Sequence, residues 1–93
     1  MTNTPLSLED RRRRLCFRGW HRGIKEMDLI FGNFIDQHNE EMSLEDCDWF
    51  EILFDENDHE ILGWITGSIP VPDAYHHEWM TKMQALDFLN LRA

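Results

Sequence analysis

The sequence predicts an all-α protein, a compact single-domain bundle of about five short helices. Three observations carry that expectation. Apolar residues recur at helical spacing in successive stretches separated by turn signals. Cap-type residues (Ser7, Ser43, the run Asp55 to Asp58, and Asp73) stand just ahead of those stretches. No alternating strand pattern of useful length and no internal repeat is present. At 93 residues the chain is long enough for one domain, expected over residues 1–93 with an ordered helical core at about 8–88.

The elements follow in order. Ser7 suits an N-cap with Asp10 three residues later, so a first helix is expected from about Leu8 to about His21. Leu8, Leu15 and either Cys16 or Phe17 should face inward. Gly19 and Gly23 bracket its end, and Gly23 suits a position of positive φ. A second helix starts near Ile24. Its residues Met27, Ile30, Phe31, Phe34 and Ile35 form an apolar stripe that fades near His38 and Asn39. Ser43, with Asp46, caps a third helix whose inner face is Leu44, Cys47, Phe50, Leu53 and Phe54. A short fourth helix buries Ile61, Trp64 and Ile65 and stops at Gly67, after which Pro70 and Pro72 impose an extended link. Asp73 can cap a fifth helix with Tyr75, Trp79, Met83 and Leu86 on one face.

Composition narrows the function. A domain of this size buries only roughly 60–65% of its unfolded surface, which leaves little room for a deep, dry active site. Net charge is −9, but unevenly spread. Sixteen of the eighteen acids and only two of the nine basic residues lie after residue 25, so the first 25 residues carry +5 and the rest −14. An acidic body repels nucleic acid, and no nucleic-acid partner is expected. Such a surface can steer a basic patch on a protein partner. Cys16 and Cys47 lack metal or redox spacing and read as free, half-buried thiols of a reducing compartment. No apolar run reaches the roughly 18 residues of a membrane span. The N-terminus has neither a positive n-region nor an apolar h-region. The chain is expected to be complete, cytoplasmic and monomeric when free.

Candidate chemistry is sparse. Arg11 to Arg14 occupy four consecutive helical positions and span about 300°, so at least one must lie near the core edge. A solvated face, partly neutralised by acids, is favoured for this run over a phosphate or protein contact. The five histidines and two cysteines show no ligand spacing, and Asp55 to Glu60 lacks the glycine and terminal glutamate of a calcium loop, so no metal is expected. No nucleophile–base pair, phosphate loop or dinucleotide fingerprint appears, so no catalytic residue is assigned and the protein is not expected to be an enzyme. Trp64 and Trp79 sit on apolar faces. Trp20 and Trp49 fit their stripes less well, and Trp20 adjoins the densest cluster of unusual residues, Arg18 to Asp28. There two glycines loosen a helix junction. Arg22 offers a planar fork of donors, and Glu26 falls in a first helical turn, where the helix dipole favours a carboxylate. The plainer alternative is a helix cap followed by a charged turn, with Arg22 paired to Glu26.

The stretch Arg18 to Asp36, RGWHRGIKEMDLIFGNFID, resembles the signature of the succinate dehydrogenase assembly factor family, the small flavinylation factors of bacteria and mitochondria. Arg22, Gly23 and Glu26 match its R-G-x-x-E motif, and Met27-Asp28-Leu29 the following M-D-L. Trp64-Ile65-Thr66-Gly67 and Pro70-Val71-Pro72 match a second conserved-type link, and the similarity runs from about residue 9 to residue 86. The resemblance implies a five-helix fold. It also implies a role in covalent attachment of FAD to the flavoprotein subunit of succinate dehydrogenase, and in some bacteria of fumarate reductase. The modified histidine and the flavin chemistry then belong to the partner, and no cofactor is held tightly here. Arg18, Trp20, Arg22, Gly23, Glu26 and Asp28 become the expected partner-binding residues. A eukaryotic member would work in the mitochondrial matrix. The alternative reading is a regulatory, antitoxin-like interaction module acting on another partner.

Overall fold

The computed structural model describes residues 7–86. Five α-helices follow one another: α1 (Leu8–Trp20), α2 (Lys25–His38), α3 (Leu44–Phe54), α4 (Asp58–Thr66) and α5 (Glu78–Ala85). Two 3-10 turns, Asn39–Glu41 and Asp73–Tyr75, lie between them. The described residues contain no strand, as the periodicity requires.

Local capping sets most helix starts. The Ser7 hydroxyl accepts the Asp10 amide at 3.1 Å. Ser43 and Asp46 form a complete capping box, each side chain accepting the other's amide at 3.1 and 2.9 Å. The Asn57 side chain accepts the amides of His59 and Glu60. Gly67 ends α4 at φ 89°. Asp73 does not cap the fifth helix; it opens the 3-10 turn, and His77 is the cap, its Nδ1 accepting the Trp79 amide at 3.0 Å. The reason is tertiary. Tyr75 stacks on Trp64 with ring centroids 5.2 Å apart and donates its hydroxyl to Glu56 at 2.5 Å. These contacts pull the turn onto α4 and delay α5 by a few residues.

The core forms along the α2 stripe. Met27, Ile30, Phe31, Phe34 and Ile35 are all buried, as expected. From α3, Cys47, Phe50, Leu53 and Phe54 meet them, and Cys47 is fully buried, not half-buried. Trp79 docks α5 edge-on against Phe34, centroids 5.7 Å apart, and Met80 and Met42 fill positions the pattern did not single out. Leu44 departs from expectation: it is 50% exposed, because it stands four residues before Asp48 on the solvent side of α3. Phe17 is 65% exposed and stacks on His21, while Leu15 takes the inward place and Cys16 is half-buried. Burial beside Asp36 pushes the Cys16 thiol up to about 11.

α1 and α2 are antiparallel and very close. A Cβ on Gly32 would stand 2.2 Å from the Trp20 ring, and one on Gly19 would stand 3.2 Å from the Phe31 carbonyl oxygen. The Trp20 ring lies flat against the bare Gly32 backbone, and its indole N–H donates to Asp36 at 3.0 Å. Gly19 is thus a packing residue inside α1 and not a loosening element at its end.

α1 and α3 run parallel, joined by charge. Arg11 reaches Asp48 at 2.6 Å and Glu51 at 3.2 Å. Arg12 donates to the Met42 carbonyl at 2.8 Å, and Arg13 pairs with Glu9 and Asp10 on its own helix. The arginine run is therefore half structural: Arg11 and Arg12 lie at the core edge, while Arg13 and Arg14 are exposed.

Gly32→Ala should lower the melting temperature, since overpacking costs about 1–3 kcal/mol, and should change tryptophan emission as the Trp20 ring is displaced. An unaltered melt would show that the crossing tolerates a methyl group. Tyr75 is the single tyrosine, and burial, with the Glu56 bond, pushes its hydroxyl up to about 12. A raised folded pKa stabilises the fold below the ordinary tyrosine value, near 10, and that stability is lost as pH rises toward 12. Absorbance titration of Tyr75 should therefore coincide with loss of helical ellipticity above pH 10, and Tyr75→Phe should remove the coincidence.

Candidate functional site

The cluster around Arg22 to Glu26 fills the turn between α1 and α2. α1 ends at His21, whose amide bonds the Arg18 carbonyl at 3.2 Å. The N-cap of α2 is Ile24, which has no side-chain acceptor to offer the first amides. Asp28 reaches back instead to the two amides that precede this cap. One carboxylate oxygen takes the amides of both Arg22, at 2.6 Å, and Gly23, at 3.2 Å. Gly23 adopts φ 101°, a conformation that disfavours any side chain, and no atom lies within 4 Å of where its Cβ would be. The turn is therefore sharp, bare and fixed at its base.

Arg22 fixes it a second time. Its guanidinium is only 10% exposed. It donates to Asp58 through Nε at 3.0 Å and Nη2 at 2.5 Å, and to the Phe54 carbonyl at 2.7 Å. A longer contact reaches the Glu56 carbonyl at 3.5 Å. Its Cζ stands 5.0 Å from the centre of the Phe54 ring and 5.7 Å from that of Phe31. Arg22 thus closes the exposed carbonyl end of α3 and the start of α4 onto the α1–α2 turn. Its partner is Asp58 and not Glu26.

The six residues singled out from sequence separate by direction. Arg18 lies over the other side of the Phe54 environment, Cζ 5.2 Å from the ring centre, and reaches Asp55 at 3.6 Å. Trp20 is half-buried and turned toward α2. Arg22 and Asp28 are the internal supports of the turn. Gly23 and Glu26 are exposed on its outer side, next to exposed His21 and Lys25. Sequence reasoning passed over Asp58 and Asp55 as helix-ending residues. The signal that could have found the Asp28 contact was the tight Arg22-Gly23 turn, whose two amides needed a nearby acceptor.

The arrangement presents Gly23 and Glu26 as exposed surface at the turn. Among the described residues no group of three or more His, Cys, Asp or Glu side chains converges as a metal site would require. No helix of these residues is long and apolar enough to cross a membrane. The depressions on the described surface are open, such as one of about 400 Å³ between Arg18 and the acidic edge of α3.

Known proteins resemble the chain along this same span. Residues 13–87 match the family described as flavinator of succinate dehydrogenase. A protein of Acetobacter pasteurianus named FAD assembly factor SdhE is 36% identical over 67 residues, 72% of this chain and 62% of its own length. Succinate dehydrogenase assembly factor 2, mitochondrial, of Candida glabrata is 33% identical over 82 residues, 84% of this chain and 54% of its own. The protein of the same name from Meyerozyma guilliermondii is 32% identical over 85 residues, covering 88% and 63%. The chain therefore spans between half and two thirds of the length of these relatives. The family match runs from within α1 through α5 and encloses the whole Arg22–Asp28 turn, so this chain belongs to the flavinator of succinate dehydrogenase family.

Proposed function

We propose that the protein is an assembly factor that docks on the flavoprotein subunit of succinate dehydrogenase and promotes covalent attachment of FAD to it. The observation that carries the reading is the Gly23–Glu26 knuckle: bare backbone and an exposed carboxylate, presented on a turn that Arg22 and Asp28 hold from inside. A turn fixed before contact loses little conformational entropy on binding, so its surface acts as a preorganised template. The family match and the names of the relatives supply the direction of the reading.

In this reading the labour is divided between factor and client. The protein contributes no catalytic group and no tight FAD pocket; flavin and acceptor histidine stay on the partner. A factor that binds the attachment-competent arrangement of that partner better than the open one raises its population by the ratio of the two affinities. Correct placement of flavin and histidine, with charge stabilisation on the flavin ring, is worth several kcal/mol of barrier. Fumarate reductase flavoprotein, where present, is a second client of the same surface. The free protein is a monomer, placed in the cytoplasm of a bacterium or the matrix of a mitochondrion.

Reconstitution of apo-flavoprotein with FAD, read by in-gel fluorescence of covalent flavin, tests the reading. Glu26 makes no fold-defining contact, so Glu26→Ala should cut the flavinylated yield sharply while stability changes by less than about 1 kcal/mol. Gly23→Ala should do the same with an added strain of about 1–2 kcal/mol. Full flavinylation with both variants would overturn the docking role of the turn. Arg22→Ala should behave differently. It strands Asp58 and the Phe54 carbonyl, and breaking a buried pair costs about 3 kcal/mol or more. For a domain this small that means a melting temperature lowered by at least about 10 °C, by thermal circular dichroism.

A further inference from the structure

α3 leaves one face uncovered by any other described element. Leu44, 50% exposed, and Ile52, 60% exposed, lie on one line along the helix with Asp48 midway between them. Asp55, 82% exposed, follows at the helix end. Beside this line an open groove of about 400 Å³ is bounded by Arg18 from α1 and by Asp48, Glu51, Ile52 and Asp55. Arg11 closes on Asp48 and Glu51 at the edge of the core. Arg18 holds Asp55 only at 3.6 Å, which leaves most of that carboxylate's acceptor capacity unused. Exposed Glu45 adds charge nearby, and the sequence has no lysine or arginine between Lys25 and Lys82.

An aliphatic side chain in water, framed by carboxylates, matches one kind of occupant. The alkyl stem of a lysine or arginine covers Ile52, and its charged head reaches Asp48 or Asp55. One wall of the groove, Asp55, lies between the two residues that anchor the docking turn. Arg22 donates to the carbonyls of Phe54 and Glu56, the two neighbours of Asp55 in the chain. A partner seated on Gly23 and Glu26 therefore has this groove within the same footprint.

We infer that the α1–α3 groove is a second part of the client contact, taking a lysine or arginine carried on an apolar stretch of the flavoprotein subunit. The inference rests on the docking reading above and adds to it a site and a chemistry. Its role is register and encounter rate: complementary charge outside the central contact chiefly sets association and its salt dependence.

The test measures binding of purified flavoprotein subunit to the full chain by biolayer interferometry, at low and high salt. Ile52→Lys removes the apolar member and adds a like charge; Asp55→Asn removes one acceptor without changing shape. Both positions are exposed, so thermal melts should match the parent protein. Ile52→Lys should weaken binding roughly tenfold, mainly through slower association, and Asp55→Asn should flatten the salt dependence. Parental affinity and salt slope in both variants, with Glu26→Ala still impaired, would overturn the groove and leave the docking turn standing. A parent protein that does not bind the subunit at all would sink both. A change confined to self-association, seen by sedimentation velocity, would assign the groove to a second copy of this chain and overturn the inference.

Discussion

One largely enclosed cation, Arg22, organises this fold. Arg22 leaves the end of α1 and spends its donors on the last carbonyl of α3 and the first carboxylate of α4. Few side chains in a small domain can tie three elements at once. A guanidinium can, because its donors diverge in a plane and its faces still pack on aromatic rings, here Phe54 and Phe31. The thin core of a chain this short makes such a tie valuable. Apolar burial holds α2 against α3, and at the Arg22 end Ile24 adds apolar contact to this polar tie. With Arg22 turned inward and Asp28 accepting the Arg22 and Gly23 amides, Gly23 and Glu26 are left on the outer side of the turn.

The charge asymmetry acquires a structural meaning. The positive first segment and negative remainder look like a signal for an external partner. In the fold much of that contrast is internal. Arg11, Arg18 and Arg22 advance along one side in step with Asp48, Asp55 and Asp58. That step fixes α1 parallel to α3 and sets their register, as alternating hydrophobic patterns alone would not. The exposed pairs contribute little stability one by one; their value lies in excluding other registers. What remains outward after this pairing is an acidic surface broken by Leu44 and Ile52.

Much of this was legible in the sequence, and the failures share a cause. The α2 stripe and the Ser43–Asp46 box could be read because periodic burial and capping are short-range. Gly67 could be read because few other residues accept its φ. Leu44 was misplaced, and the choice between Cys16 and Phe17 left open, because each lies at the margin of its helix's apolar sector, where only the neighbouring helix decides which side is wet. Asp73 failed as a cap because Tyr75 is held by Glu56, nineteen residues earlier. Arg22 was visible as a donor-rich residue in an odd place. Its acceptors, 32 and 36 residues away in the chain, were not. The close approach at Gly32 passed unnoticed because the residue that needs the space, Trp20, belongs to another helix.

The parallel seam between α1 and α3 has a consequence for how the chain comes into being. During synthesis α1 and α2 emerge first and can form a hairpin over Gly19 and Gly32. That hairpin lacks the acids that pair with Arg11, Arg18 and Arg22 until Asp58 has left the ribosome. The order of translation thus places Arg11, Arg18 and Arg22 ahead of Asp48, Asp55 and Asp58, the acids that pair with them. The seam that joins Arg11, Arg18 and Arg22 to Asp48, Asp55 and Asp58 can therefore close only once about two thirds of the chain has been made.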